Sequence, residues 1–297
     1  MELDLPGRRL ECDPARPLLM GILNCGLDSV ADGRLLTDTV ARVRRGEALA
    51  AEGAEIVDVG AISGRTDTPA LSEAEEIELV EPVVRALTAA GITVSVDTWR
   101  APVVEAVLAA GAAIVNDVSG LSNPEVARLA AQYGAGLVLM HTRAAPKQRA
   151  FPGYGDPVAD VVSFLAERLE TALELGVGAE QIILDPGLDY SKTPEESVEL
   201  LRRLDELGVF GRPLLLAVSR KYFLGVITGR PPEQRLAGTL AAIQFGLSRG
   251  AAILRVHDVA EVAEFLSVAL ALPGEESVPM RGDPDDESLM WIAPKRP

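Results

Sequence analysis

The chain reads as an α/β protein, a (β/α)8 TIM barrel, on three features. Short apolar runs alternate with amphipathic stretches from one end to the other. The runs are apolar at nearly every position and rich in Val, Ile and Leu, as parallel strands covered on both faces must be. Polar and charged residues collect at the C-terminal ends of those runs, where barrels of this type build their sites. Such a barrel takes roughly 250 residues, so 297 residues hold one domain with ragged ends. An open doubly wound sheet is the alternative. It fits less well because no GxGxxG follows the first strand.

The predicted strands cover 18–23, 55–59, 93–97, 114–117, 136–140, 182–185, 214–219 and 253–257. Helix starts lie between them. Ser72 with Glu75, and Thr193 with Glu196, have capping-box spacing. Asn123-Pro124, Asp156-Pro157 and Thr193-Pro194 set a capping residue before a proline at the first helical position. Gly53, Gly91, Gly111, Gly134, Gly176, Gly208 and Gly250 fall where helices should stop. Eight strands alternating with eight helices close a barrel. Residues 1–17 precede the first strand and should cover the barrel floor, making 1–272 a single domain. Residues 273–297 are rich in Pro, Asp and Glu without periodicity and read as an irregular tail.

Composition narrows the function. Apolar residues make up 48% of the chain, enough for a full core. No apolar run approaches the roughly 20 residues of a membrane span. The opening MELDLPGRRLECD has no signal pattern, so cytoplasmic residence is expected. A net charge of -16 argues against nucleic acid and anionic membranes as partners, though not against an anionic small molecule held by local basic groups. The two cysteines, Cys12 and Cys25, make no metal pattern, and Cys25 has no evident base beside it, so it reads as a spectator thiol.

The strand ends and following loops carry Asn24, Asp28, Asp32; Ser63, Arg65; Asp97; Asn116, Asp117; Met140, His141; Asp185, Asp189, Lys192; Ser219, Arg220, Lys221; and Arg255, His257, Asp258. Each has an ordinary reading. Asp97 and Asp185 could cap helices, Asn116-Asp117 could form a turn, and Arg255 could pair with a neighbouring carboxylate. Together they are costly to gather at one mouth without a ligand or mutual pairing. Two carboxylates and an amide suit a flat heterocycle rich in N–H groups. Lys221, Arg255, Arg65 and His257 suit a multiply charged leaving group.

These residues sit in the motifs LLMGILNCGLDSVADG, GAEIVDVGAISGRT, VSVDTWR, AAIVNDVSG, LVLMHTR, IILDPGLDYSKTP, LLLAVSRKYFLG and ILRVHDV. In this order the set resembles the dihydropteroate synthase family from Leu18 to about Leu272. The resemblance implies condensation of a dihydropterin hydroxymethyl diphosphate with p-aminobenzoate, releasing diphosphate. It implies that Asp97, Asn116, Asp185 and Lys221 hold the pterin ring, that Met140 lines its pocket and that Arg255 stacks on it. It further implies that Asn24, Arg65, Arg255 and His257 bind the diphosphate, with Mg2+ at or near Asn24, and that Asp28 stabilises the cationic methylene. A homodimer is expected.

The chain departs from the family pattern on one side only. Where the family has TPDSFSDG, it reads Gly26-Leu27-Asp28-Ser29-Val30-Ala31-Asp32-Gly33; where the family has GESTRPG, it reads Ala61-Ile62-Ser63-Gly64-Arg65-Thr66-Asp67. The family's DPGIGFGK becomes Asp185-Pro186-Gly187-Leu188-Asp189-Tyr190-Ser191-Lys192, and Tyr222 follows the SRK lysine. The resemblance assigns the changed positions, Tyr190 and Tyr222 among them, to the p-aminobenzoate side. The nucleophile is then p-aminobenzoate, another amine or an aromatic carbon. A pterin-binding paralogue without turnover is the alternative of a different class.

Overall fold

The computed structural model describes residues 1–26, 30–31, 34–35, 38–62, 71–146, 148 and 150–272. The tail at 273–297 lies outside them. An antiparallel hairpin opens the chain, β1 (Glu2–Leu5) with β2 (Arg8–Glu11). Strand β3 (Leu18–Asn24) follows, then a two-residue pair, β4 (Val30–Ala31) and β5 (Arg34–Leu35). The remaining strands are β6 (Ile56–Gly60), β7 (Thr93–Asp97), β8 (Ile114–Asp117), β9 (Gly136–Met140), β10 (Ile182–Asp185), β11 (Leu214–Leu216) and β12 (Ala251–Val256). From β3 through β6 to β12 they form a closed eight-stranded parallel barrel, β12 pairing back onto β3.

Helices α1 (Thr39–Ala51), α2 (Glu73–Ala89), α3 (Ala101–Ala109), α4 (Pro124–Tyr133), α5 (Pro157–Glu174), α6 (Pro194–Arg202), α7 (Tyr222–Thr228), α8 (Leu236–Leu247) and α9 (Val259–Ala269) connect them. Among the described residues there are nine rather than the expected eight, because the β11 connection holds two. Gly229 ends α7 in the left-handed region, and Pro231 and Pro232 break the chain before α8 begins. Both capping boxes form, and Asn123, Asp156 and Thr193 cap the helices that begin at the next proline. One expected stop moves. Gly208 lies inside a 3-10 turn (Leu204–Phe210), and the left-handed stop is Gly211.

Two apolar layers result from the alternation of strand side chains. One set faces the helices. The other fills the barrel lumen with Leu18, Met20, Ile56, Ile114, Val138, Ile183, Leu215 and Ile253. Leu3 and Leu5 of the hairpin pack into this second cluster, so the N-terminal segment closes the barrel floor. Strand β11 is shorter than its apolar run. Its register with β12 shifts between Leu214 and Leu215, and 217–219 leave the ladder toward the mouth. Among the described residues no helix is long and apolar enough to cross a membrane.

Candidate active site

The lumen layer turns polar as it rises. Two residues beyond Ile56 stands Asp58, beyond Ile114 stands Asn116, beyond Val138 stands Met140, beyond Ile183 stands Asp185, and beyond Ile253 stands Arg255. Period-2 geometry therefore points all of them inward, together with Ser95, Asp97 and Asn24 on the same parity. Asp58 is fully buried and anchors the cluster. Its Oδ2 accepts from Arg255 Nε at 2.6 Å and from Asn116 Nδ2 at 3.1 Å, and its Oδ1 from Ser95 Oγ at 2.6 Å. Arg255 Nη2 donates to Asp97 Oδ2 at 2.8 Å. One guanidinium thus bridges carboxylates on β6 and β7.

Asn116 is buried, and with its amide nitrogen committed to Asp58 its Oδ1 has no partner among the described residues. A buried acceptor left unsatisfied costs roughly 1–3 kcal/mol, and a ligand N–H would recover it. Asp185, beside Met140 in the ladder, is also buried and takes one bond from the Gly187 amide at 2.7 Å. Burial raises Asp185, with that amide opposing. Burial drives Asp97 up to about 7, although Arg255 pulls it down. Burial lowers Lys221, against the attraction of Asp189 and Asp185. It lowers His257 to about 4, and the cations Arg255 and Arg220 add to the effect. His257 is therefore neutral near pH 7, its Nδ1 sharing a proton with Ser219 Oγ at 3.0 Å. An anion at this site would meet it as an N–H donor.

The loop from β10 to α6 forms one wall. Lys221 Nζ donates to Leu188 O at 3.1 Å and sits 4.4 Å from the centroid of the Tyr190 ring. Gly187, Asp189 and Ser191 all have left-handed backbone, with φ of +67°, +66° and +55°. At a non-glycine residue that conformation costs roughly 1–2 kcal/mol. At Asp189 the surroundings hold it. Its carboxylate accepts from the amides of Tyr222 and Phe223 at the start of α7, and its own amide donates to Ser197 Oγ at 3.1 Å. Tyr222 itself is 48% exposed.

Several residues that the sequence groups at the mouth serve the scaffold. Asp117 points away from the lumen and accepts from the amides of Ser119 and Leu121, the turn that its sequence suggested. Arg220 pairs with Asp258 through two nitrogens. His141 and Lys192 are fully buried beneath the loop. Cys25 is buried, which pushes its thiol up to about 12 and makes it inert. Asn24 is exposed at the mouth. Asp28, Asp32, Ser63 and Arg65 lie outside the described residues. Sequence reasoning missed Asp58, Ser95 and Arg235. The first two lie one step below the strand ends. Arg235 lies on no strand, yet its Nη1 donates to the carbonyls of Arg220 and Lys221 and fixes the turn between β11 and α7.

An eight-stranded barrel whose mouth offers an unpaired amide oxygen, two buried carboxylates and an arginine has the acceptors to take the N–H edge of a flat heterocycle. The chain belongs to the family described as pterin binding enzyme, which matches residues 20–257. The dihydropteroate synthase of Synechocystis sp. is 40% identical over 261 residues, covering 86% of this chain and 90% of that one. Xanthomonas albilineans dihydropteroate synthase with 4-aminobenzoic acid superposes with a TM-score of 0.85 at 39% identity, covering 93% of this chain and 99% of that one. The same enzyme in complex with 7,8-dihydropteroate gives 0.83 at 38% identity, with coverage of 93% and 100%.

Deleting the anchor should be expensive. Asp58→Ala leaves Arg255 with Asp97 alone and takes the acceptor from Ser95 and Asn116 at once, and should lower unfolding stability in urea by about 3–5 kcal/mol. Ser95→Ala removes one hydrogen bond and should cost about 1 kcal/mol. Equal losses in the two variants would mean that Asp58 is not the anchor.

Proposed function

We propose that this chain joins a dihydropterin carrying a hydroxymethyl diphosphate to p-aminobenzoate or a related aryl amine, releasing diphosphate. The observation that carries the reading is the unpaired Asn116 Oδ1 above Asp58, with the Asp185 carboxylate at the same mouth. Two acceptors so placed match the N–H edge of a pterin. The naming of its relatives as dihydropteroate synthases supports the same reading.

In this reading Asp97, Asn116, Asp185 and Lys221 hold the ring, Met140 lines the pocket and Arg255 stacks on the ring. Arg255 keeps its orientation through Asp58 and Asp97. The methylene C–O bond breaks with its electron pair leaving on diphosphate. The positive charge left on the methylene and ring is stabilised by the nearby carboxylates, with Asp28 added from the first loop. The amine then forms the C–N bond and loses a proton. Asn24, Arg65, Arg255 and His257 receive the diphosphate, His257 as a neutral donor. Mg2+ fits this arrangement. Among the described residues there is no group of three or more carboxylate, histidine or cysteine ligands. One exposed amide oxygen, Asn24, suits an ion held mainly by water and phosphate oxygens. When bound, it would neutralise charge on the leaving group.

A test is diphosphate release from the pterin diphosphate with Mg2+, with and without p-aminobenzoate. Release that requires the amine is expected; binding without release would favour the paralogue. Asp185→Asn should weaken pterin binding by roughly ten- to a hundredfold, the worth of a charged hydrogen bond, and calorimetry reads it.

On the second-substrate side, the amides of Tyr222 and Phe223 are already taken by Asp189. The resemblance assigns to the amide after the SRK lysine the carboxylate of p-aminobenzoate, so an anionic ligand must displace Asp189 or dock elsewhere. Sulfamethoxazole should therefore bind weakly in the presence of pterin and diphosphate. Asp189→Gly should tighten it by about tenfold, the scale of one charged contact. Tight binding to the unaltered protein would overturn this.

The expected homodimer has support on α7 and α8, where Val226, Ile227 and Phe245 are exposed. Sedimentation equilibrium should give twice the 31.4 kDa chain mass. Ile227→Asp should shift the equilibrium to the monomer.

A further inference from the structure

Beneath the β10–α6 loop lies a chain of polar groups bonded to one another and to the loop backbone. Lys192 is fully buried. Its Nζ donates to Gly187 O at 2.8 Å, to Tyr190 O at 3.0 Å and to His141 Nδ1 at 2.7 Å. An ammonium has three donors and no lone pair, so these three acceptors satisfy it completely. His141 must then accept at Nδ1 and carry its proton on Nε2, which lies 2.7 Å from Asp160 Oδ2 on α5. Asp160 is held in place by Arg143, at 2.9 and 3.0 Å. The imidazole is fixed edge-on against Phe164, with centroids 4.9 Å apart.

The peptide that Lys192 grips is the one that orients Asp185. Gly187 receives the lysine on its carbonyl and gives its amide to Asp185 Oδ1 at 2.7 Å. The same residue is pressed onto the end of β9, where a Cβ would stand 2.0 Å from His141 O. Three residues on, the second carbonyl that Lys192 holds belongs to Tyr190, whose ring lies beside Lys221 Nζ. Lys192 is thus joined through one peptide to a ring-binding carboxylate and through another to the aromatic wall.

We propose that Lys192, backed by His141 and Asp160, is a positioning residue for the pterin ring: it sets the place of Asp185 through Gly187, and so the ring affinity, without touching the reacting atoms, while the same ammonium holds the Tyr190 peptide beside it. The proposal rests on the reading of the Asp185 and Asn116 pocket as the pterin site. Lys192→Met keeps the stem and removes all three donors. Gly187 and Tyr190 then lose the contacts that hold them, and Asp185 loses its fixed amide.

The test is calorimetric binding of 6-hydroxymethylpterin, together with kcat and KM for the pterin diphosphate in the diphosphate-release assay. Lys192→Met should raise the pterin Kd and that KM by about tenfold or more, as expected when a supporting shell is lost. kcat at saturation should stay within about threefold, because the reacting atoms keep their partners once the ring is bound. A merely structural role would not produce that split. Asp160→Asn, which weakens only the far end of the chain, should raise Kd by about threefold. Wild-type Kd in Lys192→Met, or a loss confined to kcat, overturns the proposal. If Lys192→Met does not fold by circular dichroism, Asp160→Asn decides, and an unchanged Kd in it overturns the proposal. Asp185→Asn separates the two readings. Undiminished ring affinity there means the pocket assignment has failed. Lost affinity there with an intact Lys192→Met means that only the positioning role has failed.

Discussion

The site depends on one half-buried cation. Arg255 reaches across the top of the lumen from β12 and is held by Asp58 on β6 and Asp97 on β7. Asp58 in turn holds Ser95 and Asn116, so a single carboxylate ties three strands to the arginine. Charges removed from water are worth their desolvation only when every lone pair and proton finds a partner. Here the arrangement comes close to that condition, and the exception is informative. Among the described residues, the one atom of the group left unsatisfied is Asn116 Oδ1.

Above this layer the architecture becomes a problem of holding a strained loop still. Left-handed backbone at Gly187, Asp189 and Ser191 gives the β10–α6 loop its tight path. Such conformations persist only where the surroundings over-determine them. Contacts come from three directions: Lys192 from below, Lys221 from the side, and the amides that open α7 through Asp189. The same contacts also fix Asp185, through the Gly187 amide, and the Tyr190 peptide, through its carbonyl.

The Arg255 cluster and the loop wall constrain their residues to different degrees. Asp97 and Asn116 are locked into the Arg255 cluster through Asp58 and the guanidinium, where a change removes a partner from a charged group. Among the described residues at changed positions, Asp189 accepts from the α7 amides and Tyr222 is half exposed.

Much of the fold was legible in the sequence because each signal is local. Apolar runs, capping boxes and prolines at helix starts act within a few residues, and they placed the strands to within a few residues, with β11 cut short by a register shift. Strand-end residues such as Asp97, Asn116, Asp185 and Arg255 were legible for the same reason. Other assignments needed the closed barrel. Asp58 sits between Val57 and Val59 like any mid-strand residue, and only closure brings Arg255, 197 positions later, against it. His141 and Lys192 carry the same letters whether they line the mouth or lie under it. The sequence by itself determined the alternation of elements and the inward parity of the polar layer, because both follow from backbone geometry. Tertiary structure alone decided which charge meets which, because that depends on strands and loops far apart in the chain being brought within hydrogen-bond reach of one another.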